Sequence, residues 1–139
     1  MRVIKFRAWC EECYDEESDS YVFEMISSDR LAISEYNLLK DQLKQTEKFR
    51  LMQFTGLQDK NGKEIYEGDI VVYDRGVGNW TGKRMSTTHT IVFSEEVFAF
   101  VMDYGSSYIK LRKHWNYIYE VIGNIYENPE LLSTPTAVL

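Results

Sequence analysis

From residue 49 onward the chain is a succession of short runs rich in β-branched and aromatic residues, each closed by Gly, Asn or Asp. Closely spaced runs of this kind, separated by turn residues, fold into a small antiparallel sheet or barrel. The runs fall at residues 49–55, 70–73, 85–93, 97–102, 108–112 and 119–126. Gly56 is expected to break the first of them. Asn61-Gly62 carries the signal of a tight type I′ turn. Gly76, Gly78 and Gly82 mark a flexible loop that holds Trp80, and residues 103–107 form a turn. The tail from Asn128 contains Pro129 and Pro135, and reads as a docked segment near Leu131 and Leu132 followed by a loose end.

The first 48 residues have a different texture. In residues 3–9 apolar and basic side chains alternate, which puts Ile4, Phe6 and Ala8 on one face of a strand and Lys5 and Arg7 on the other. Residues 21–26 form a second strand-like run, and the two can pair antiparallel around an acidic loop. Residues 34–46 read as a helix. Ser34 supplies the N-cap, Tyr36, Leu39 and Leu43 fall at helical spacing, and Glu35 and Lys44 suit the two ends of the helix dipole. Asn37 and Asp41 weaken that reading.

Composition narrows the function classes. Twenty aromatic rings in 139 residues, at a net charge of −6, are too many for intrinsic disorder. No apolar run approaches the ~18 residues that span a bilayer. The opening residues alternate charge with apolar side chains, unlike a signal peptide. The expectation is therefore a single intracellular domain with a smaller annex and no membrane association. Residues 1–29 hold three basic and eight acidic side chains, which is nearly all of the net charge. The acidic balance argues against a dedicated duplex-DNA binder. The acidic stretch from Glu11 to Asp19 reads as a solvated loop.

Chemistry-bearing motifs are few. Trp9-Cys10-Glu11-Glu12-Cys13 is similar to the W-C-x-x-C string of thioredoxin-type dithiols. That chemistry needs a low-pKa thiolate at a helix N-terminus, whereas two glutamates stand between these cysteines and no βαβ pattern surrounds them. The expectation is a pair of reduced cysteines in a surface hairpin. One cysteine pair with His89 and His114, 25 residues apart, lacks the ligand spacing of a zinc site. No phosphate-binding loop, nucleophile elbow or metalloprotease motif is present. Asp69, between Gly68 and a buried-looking run, is expected to accept backbone N–H bonds in a turn. Basic and aromatic residues gather twice, as Trp80 with Arg75, Lys83 and Arg84, and as Trp115 with Lys110, Arg112 and Lys113. Such sets can bind single strands through phosphate pairing and base stacking. The simpler reading is that these rings pack the core or its rim.

The run from Leu51 to Val71, LMQFTGLQDKNGKEIYEGDIV, closely resembles the signature of the YopX family of phage and prophage proteins. Ile4-Lys5-Phe6-Arg7-Ala8-Trp9 is similar to the family's opening strand, and residues 121–132, VIGNIYENPELL, to its closing motif. The resemblance implies a C-terminal barrel similar to SH3-type barrels behind a variable N-terminal part. It implies no established activity and no catalytic residues. Such barrels commonly bind peptides or nucleic acid. Cys10 stands where the family usually has an acidic residue, which argues against a family-wide redox or zinc role.

The sequence therefore predicts a mainly β protein. Residues 1–48 form an annex of hairpin plus helix, and residues 49–139 an SH3-like barrel with a C-terminal tail. The expected function is that of a non-catalytic phage or prophage accessory protein, without cofactor or metal, in the cytoplasm of the bacterial host. Its partner is expected to be a host or phage protein or a second copy of itself. The alternative is a single-stranded nucleic-acid binder. For either, the candidate binding residues are Trp80, Lys83, Arg84, Arg112, Lys113 and Trp115.

Overall fold

The computed structural model describes residues 3–15, 18–27 and 49–132. The helix expected at residues 34–46 lies outside them. The protein is mainly β, with two antiparallel sheets, one of them a curled half-barrel. The chain divides into two compact units, Met1–Phe54 and Thr55–Leu139.

In the first unit β1 (Phe6–Asp15) pairs with β2 (Ser20–Ile26) and, along its other edge, with β3 (Phe49–Gln58). The expected hairpin is present, but β1 runs on to Asp15, so Glu11, Glu12 and Asp15 of the expected acidic loop are strand residues rather than loop residues. Among the described side chains of β1, Ala8 and Cys10 are buried on the expected face, whereas Phe6 is exposed and Ile4 precedes the strand and is exposed. A bulge interrupts the β1–β2 register between Cys10 and Cys13. Cys10 is buried and disulfide-bonded, and Cys13 is the chain's other cysteine. This corrects the expectation of reduced surface thiols: a small apolar side chain on the inward face of a three-strand ladder is covered whatever the charge of its sequence neighbours.

The second unit takes up the end of β3, then β4 (Glu64–Tyr66) and a five-stranded sheet. That sheet has the order β8-β7-β6-β5-β9. Its members are β5 (Asp69–Val77), β6 (Arg84–Ser94), β7 (Ala99–Asp103), β8 (Tyr108–Lys110) and β9 (Tyr119–Asn124). The core is built from Ile65, Val71, Tyr73, Ile91, Phe100, Met102, Tyr119 and Val121. Val71 and Tyr73 alternate along β5, as a half-buried strand requires. Partly buried Leu57, Ile109, Leu111, Trp115 and Ile118 close the rim.

Two features depart from the sequence reading. Gly56, at φ +86°, does not end β3 but is accommodated within it. The Asn61-Gly62 turn is not type I′, because only Gly62 has positive φ (+79°). Gly62 N donates to Asp59 O and Asp59 N to Lys63 O, the pattern of a type I turn followed by a left-handed glycine. Two short 3₁₀ helices, Lys113–Ile118 and Pro129–Leu132, complete the described chain. The second covers the segment expected to dock near Leu131 and Leu132; it has no buried residue, with Leu131 half-buried and Leu132 exposed.

Candidate functional site

The residues that carry the family resemblance serve the scaffold. Asp59 is buried, and its Oδ1 accepts from the amides of Asn61 (2.8 Å) and Lys63 (2.9 Å). Its Oδ2 accepts from the amide of Val121 at 2.9 Å, and Lys60 N donates to Tyr119 O, so the β3–β4 turn is tied to the outer edge of β9. Asp69 Oδ2 accepts from the Tyr66 amide at 2.8 Å, which is the turn role expected of it. Asn124 Oδ1 accepts from the amides of Tyr126 and Glu127. Gly123 leaves room for Asn128: a β-carbon there would lie 2.5 Å from the Asn128 Oδ1. Buried polar side chains that accept from backbone amides are structural braces.

What remains lies at one end of the second unit, around the β5–β6 hairpin. Its tip is closed by hydrogen bonds from Gly78 N to Lys83 O and from Gly82 N to Gly78 O, both 2.9 Å. Gly78 leaves room for Thr81, whose Oγ1 would lie 2.9 Å from a β-carbon there and would have to shift. Below the tip the β5–β6 register shifts between Asp74 and Val77, around Gly76 at φ +75°. Asp74 fills this bulge, accepting from the Gly76 amide through Oδ1 and from Arg84 Nε (2.9 Å) and Nη2 through Oδ2. The Arg84 hydrogen bond, followed by that of the Gly76 amide, holds the Asp74 carboxyl below the usual carboxylate range.

Trp80 stands on this tip at 99 % exposure, with Val77 exposed beside it. Along the hairpin runs an open groove of about 220 Å³, lined by Arg75, Thr81, Lys83, Arg84, Met85 and Thr87 among others. Only Arg84 of its three cations is paired with a carboxylate among the described residues.

The second predicted cluster is arranged differently. Trp115 sits on the 3₁₀ helix Lys113–Ile118 and packs against the core. Its ring stacks on Tyr73 (centroids 6.4 Å apart, 26° between planes), and the Arg112 guanidinium lies over it, 4.7 Å from the centroid. Arg75 lies 5.6 Å from the centroid of the Tyr73 ring. The order Arg75–Tyr73–Trp115–Arg112 is a cation–aromatic stack that joins the hairpin to the 3₁₀ helix. Arg112 N also donates to the Tyr119 hydroxyl at 3.1 Å. Burial raises the phenol pKa of both Tyr73 and Tyr119, so both stay neutral hydroxyls. Lys113 is exposed at the start of the helix.

Of the six predicted residues, the hairpin thus gathers Trp80, Lys83 and Arg84. Arg112 and Trp115 belong to the ring stack, and Lys113 stands beside it. The sequence reading did not place Arg75 and Met85 in the site. Arg75 had been grouped with Trp80 by charge, and its two-residue spacing from Tyr73 was the signal that both share a strand face.

Nearby, His89 is buried with both ring nitrogens engaged. Nδ1 lies 3.3 Å from Asp103 O and Nε2 2.7 Å from Thr87 Oγ1. A carbonyl only accepts, so Nδ1 carries the proton and the Thr87 hydroxyl donates to Nε2. Burial pushes the His89 pKa down, and the Tyr104 ring covers it at 3.8 Å between centroids. No helix among the described residues is long and apolar enough to cross a membrane.

Residues 5–133 match the family model described as YopX protein. Among solved structures, the crystal structure of protein EF1440 from Enterococcus faecalis is similar at 29 % identity and a TM-score of 0.53. The match covers 95 % of this chain and 99 % of that one. No curated protein matches the chain.

Proposed function

This chain belongs to the YopX family, and on that premise we propose that it is a non-catalytic phage or prophage accessory protein that binds a protein partner through the β5–β6 hairpin. The observation that carries the reading is Trp80, 99 % exposed on a tip that hydrogen bonds and a bulge ion pair hold in one shape. A large ring held in water by an ordered turn is an anchor without its socket. Exposed aromatics of this kind, rimmed by polar groups, are where interfaces concentrate their binding energy. The groove beside it adds apolar surface and two cations with no carboxylate partner among the described residues. The protein acts, in this reading, in the cytoplasm of a bacterial host.

Single-stranded nucleic acid is the weaker reading. Base stacking needs free ring faces. Trp115 is engaged by the Tyr73 ring and the Arg112 guanidinium, whereas Trp80 is 99 % exposed, so of the two candidate rings Trp80 is the one open to a base.

The test is capture from induced host cells with the full chain and with Trp80→Ala, read by mass spectrometry alongside a thermal melt. The expected result is loss of a specific protein partner with an unchanged melt, because Trp80 buries nothing. Identical capture by both proteins would overturn the reading. Salt-sensitive binding of labelled oligonucleotides that needs Trp80 would replace it with the nucleic-acid reading.

A further inference from the structure

The β6–β7 turn presents a second projecting ring. Phe98 is 81 % exposed and has φ +50°, a left-handed conformation that its β-carbon disfavours. A glycine at this turn position would remove both the strain and the exposed ring. Glu95 and Glu96 precede it in the same turn, both exposed and with no cation paired to either among the described residues. The turn is thus an apolar knob with an acidic rim. The β5–β6 groove is the complement, an apolar floor containing Met85 with Arg75 and Lys83 on its rim, neither paired with a carboxylate among the described residues, Arg75 lying over the Tyr73 ring.

The two features cannot meet within one molecule. They lie at opposite ends of β6, whose eleven residues at ~3.3 Å each separate them by roughly 30 Å. We propose that the Phe98 knob of one copy seats in the β5–β6 groove of a second copy, its two glutamates facing Arg75 and Lys83. This rests on the reading of the hairpin as the binding surface and names a second copy as an occupant. The contact joins two different patches, so it is head to tail. Each molecule keeps one free knob and one free groove, and assembly continues until a ring closes or a filament grows.

Such a contact has a signature that a twofold dimer lacks. Phe98→Gly removes the knob and leaves the groove. Arg75→Glu with Lys83→Glu spoils the groove and leaves the knob. Full-length proteins are examined by sedimentation velocity over rising concentration at about 0.15 M salt, where the Debye length is ~8 Å. The wild type is expected to exceed a dimer, and each variant alone to be a monomer. An equimolar mixture of the two is expected to form a one-to-one dimer and stop there, because a single intact knob–groove pair remains. About 1 M salt, where the Debye length is ~3 Å, is expected to shift the wild type toward monomer. Lys83→Glu alone, at an exposed site, replaces the double variant if that does not fold.

A wild type that stays monomeric, variants that assemble as the wild type does, or a mixture that stays monomeric would each overturn the proposal. A monomeric wild type whose capture of another protein still depends on Trp80 would leave the hairpin reading standing and remove only the head-to-tail contact.

Discussion

Replacing Asp59 tests whether the signature block is a brace. Asp59→Ala removes the acceptor of three amides, two of which belong to exposed turn residues, Asn61 and Lys63, that water can serve. Their loss is expected to cost ~0.5 kcal/mol each. The third amide, Val121, is buried, and its bond to a carboxylate is worth about 2–3 kcal/mol, since the orphaned N–H has no water to replace it. The expected total is about 3–4 kcal/mol, a large fraction of the 5–15 kcal/mol that typically holds a domain together. Asp59→Asn keeps one carbonyl oxygen. If that oxygen serves the turn, the amide NH₂ faces the Val121 N–H, donor to donor, so the expected cost is still about 2–3 kcal/mol. Urea denaturation followed by fluorescence measures both variants. A loss below about 1 kcal/mol for Asp59→Ala, or an Asn variant as stable as the wild type, would refute the reasoning.

Gly123→Ala places a β-carbon 2.5 Å from Asn128 Oδ1 and 2.9 Å from Asn128 Cβ. The Asn128 backbone N–H donates to Asn124 O, which fixes the Asn128 Cβ even if its side chain rotates, and the expected loss is about 1–3 kcal/mol by the same urea measurement. His89 gives a pH dependence of known sign. Its folded pKa is depressed by burial below the ~6.5 of an unfolded chain, so its contribution is intact above pH ~6.5 and declines as pH falls from there through the folded pKa. Urea midpoints between pH 7.5 and 5 are expected to fall less steeply for His89→Gln than for the wild type. Parallel curves would show that His89 is not buried neutral.

Most strands of the second unit were legible because their signals are local. β5, β6 and β7 combine β-branched runs with Gly or Asp turns, and the structure has them where those runs fall. The short β4 was missed, since three residues carry no period of their own and its neighbour in the sheet is β3. The 3₁₀ helix Lys113–Ile118 was missed for a related reason. Its sequence, KHWNYI, has no cap and no apolar stripe, and it is held by Trp115 on Tyr73, a contact between residues 42 positions apart. The same nonlocality explains the site. Charge and ring counts put Trp80 and Trp115 on equal terms, and only packing tells the exposed anchor from the stacked one. Nor could spacing set the Phe98 turn against the β5–β6 groove, because their complementarity lies between distant turns.

A net charge of −6 makes two copies of the chain repel each other at long range. At about 0.15 M salt, however, fields beyond ~8 Å are largely screened. What decides a contact is the charge inside that radius. Around the groove, the Asp74 carboxylate is already held by Arg84, which leaves Arg75 and Lys83 to set the local sign. Around the Phe98 turn Glu95 and Glu96 set the opposite one. Segregation within the second unit therefore outweighs the overall balance, most of which resides in residues 1–29. The same segregation explains why the scaffold and the function separate so cleanly. Asp59, Asp69 and Asn124 are fixed by the backbone amides they serve, and Gly123 by the Asn128 side chain against it. Trp80, Lys83, Glu95 and Phe98 contribute little to the core, so their chemistry is free to be set by whatever meets them.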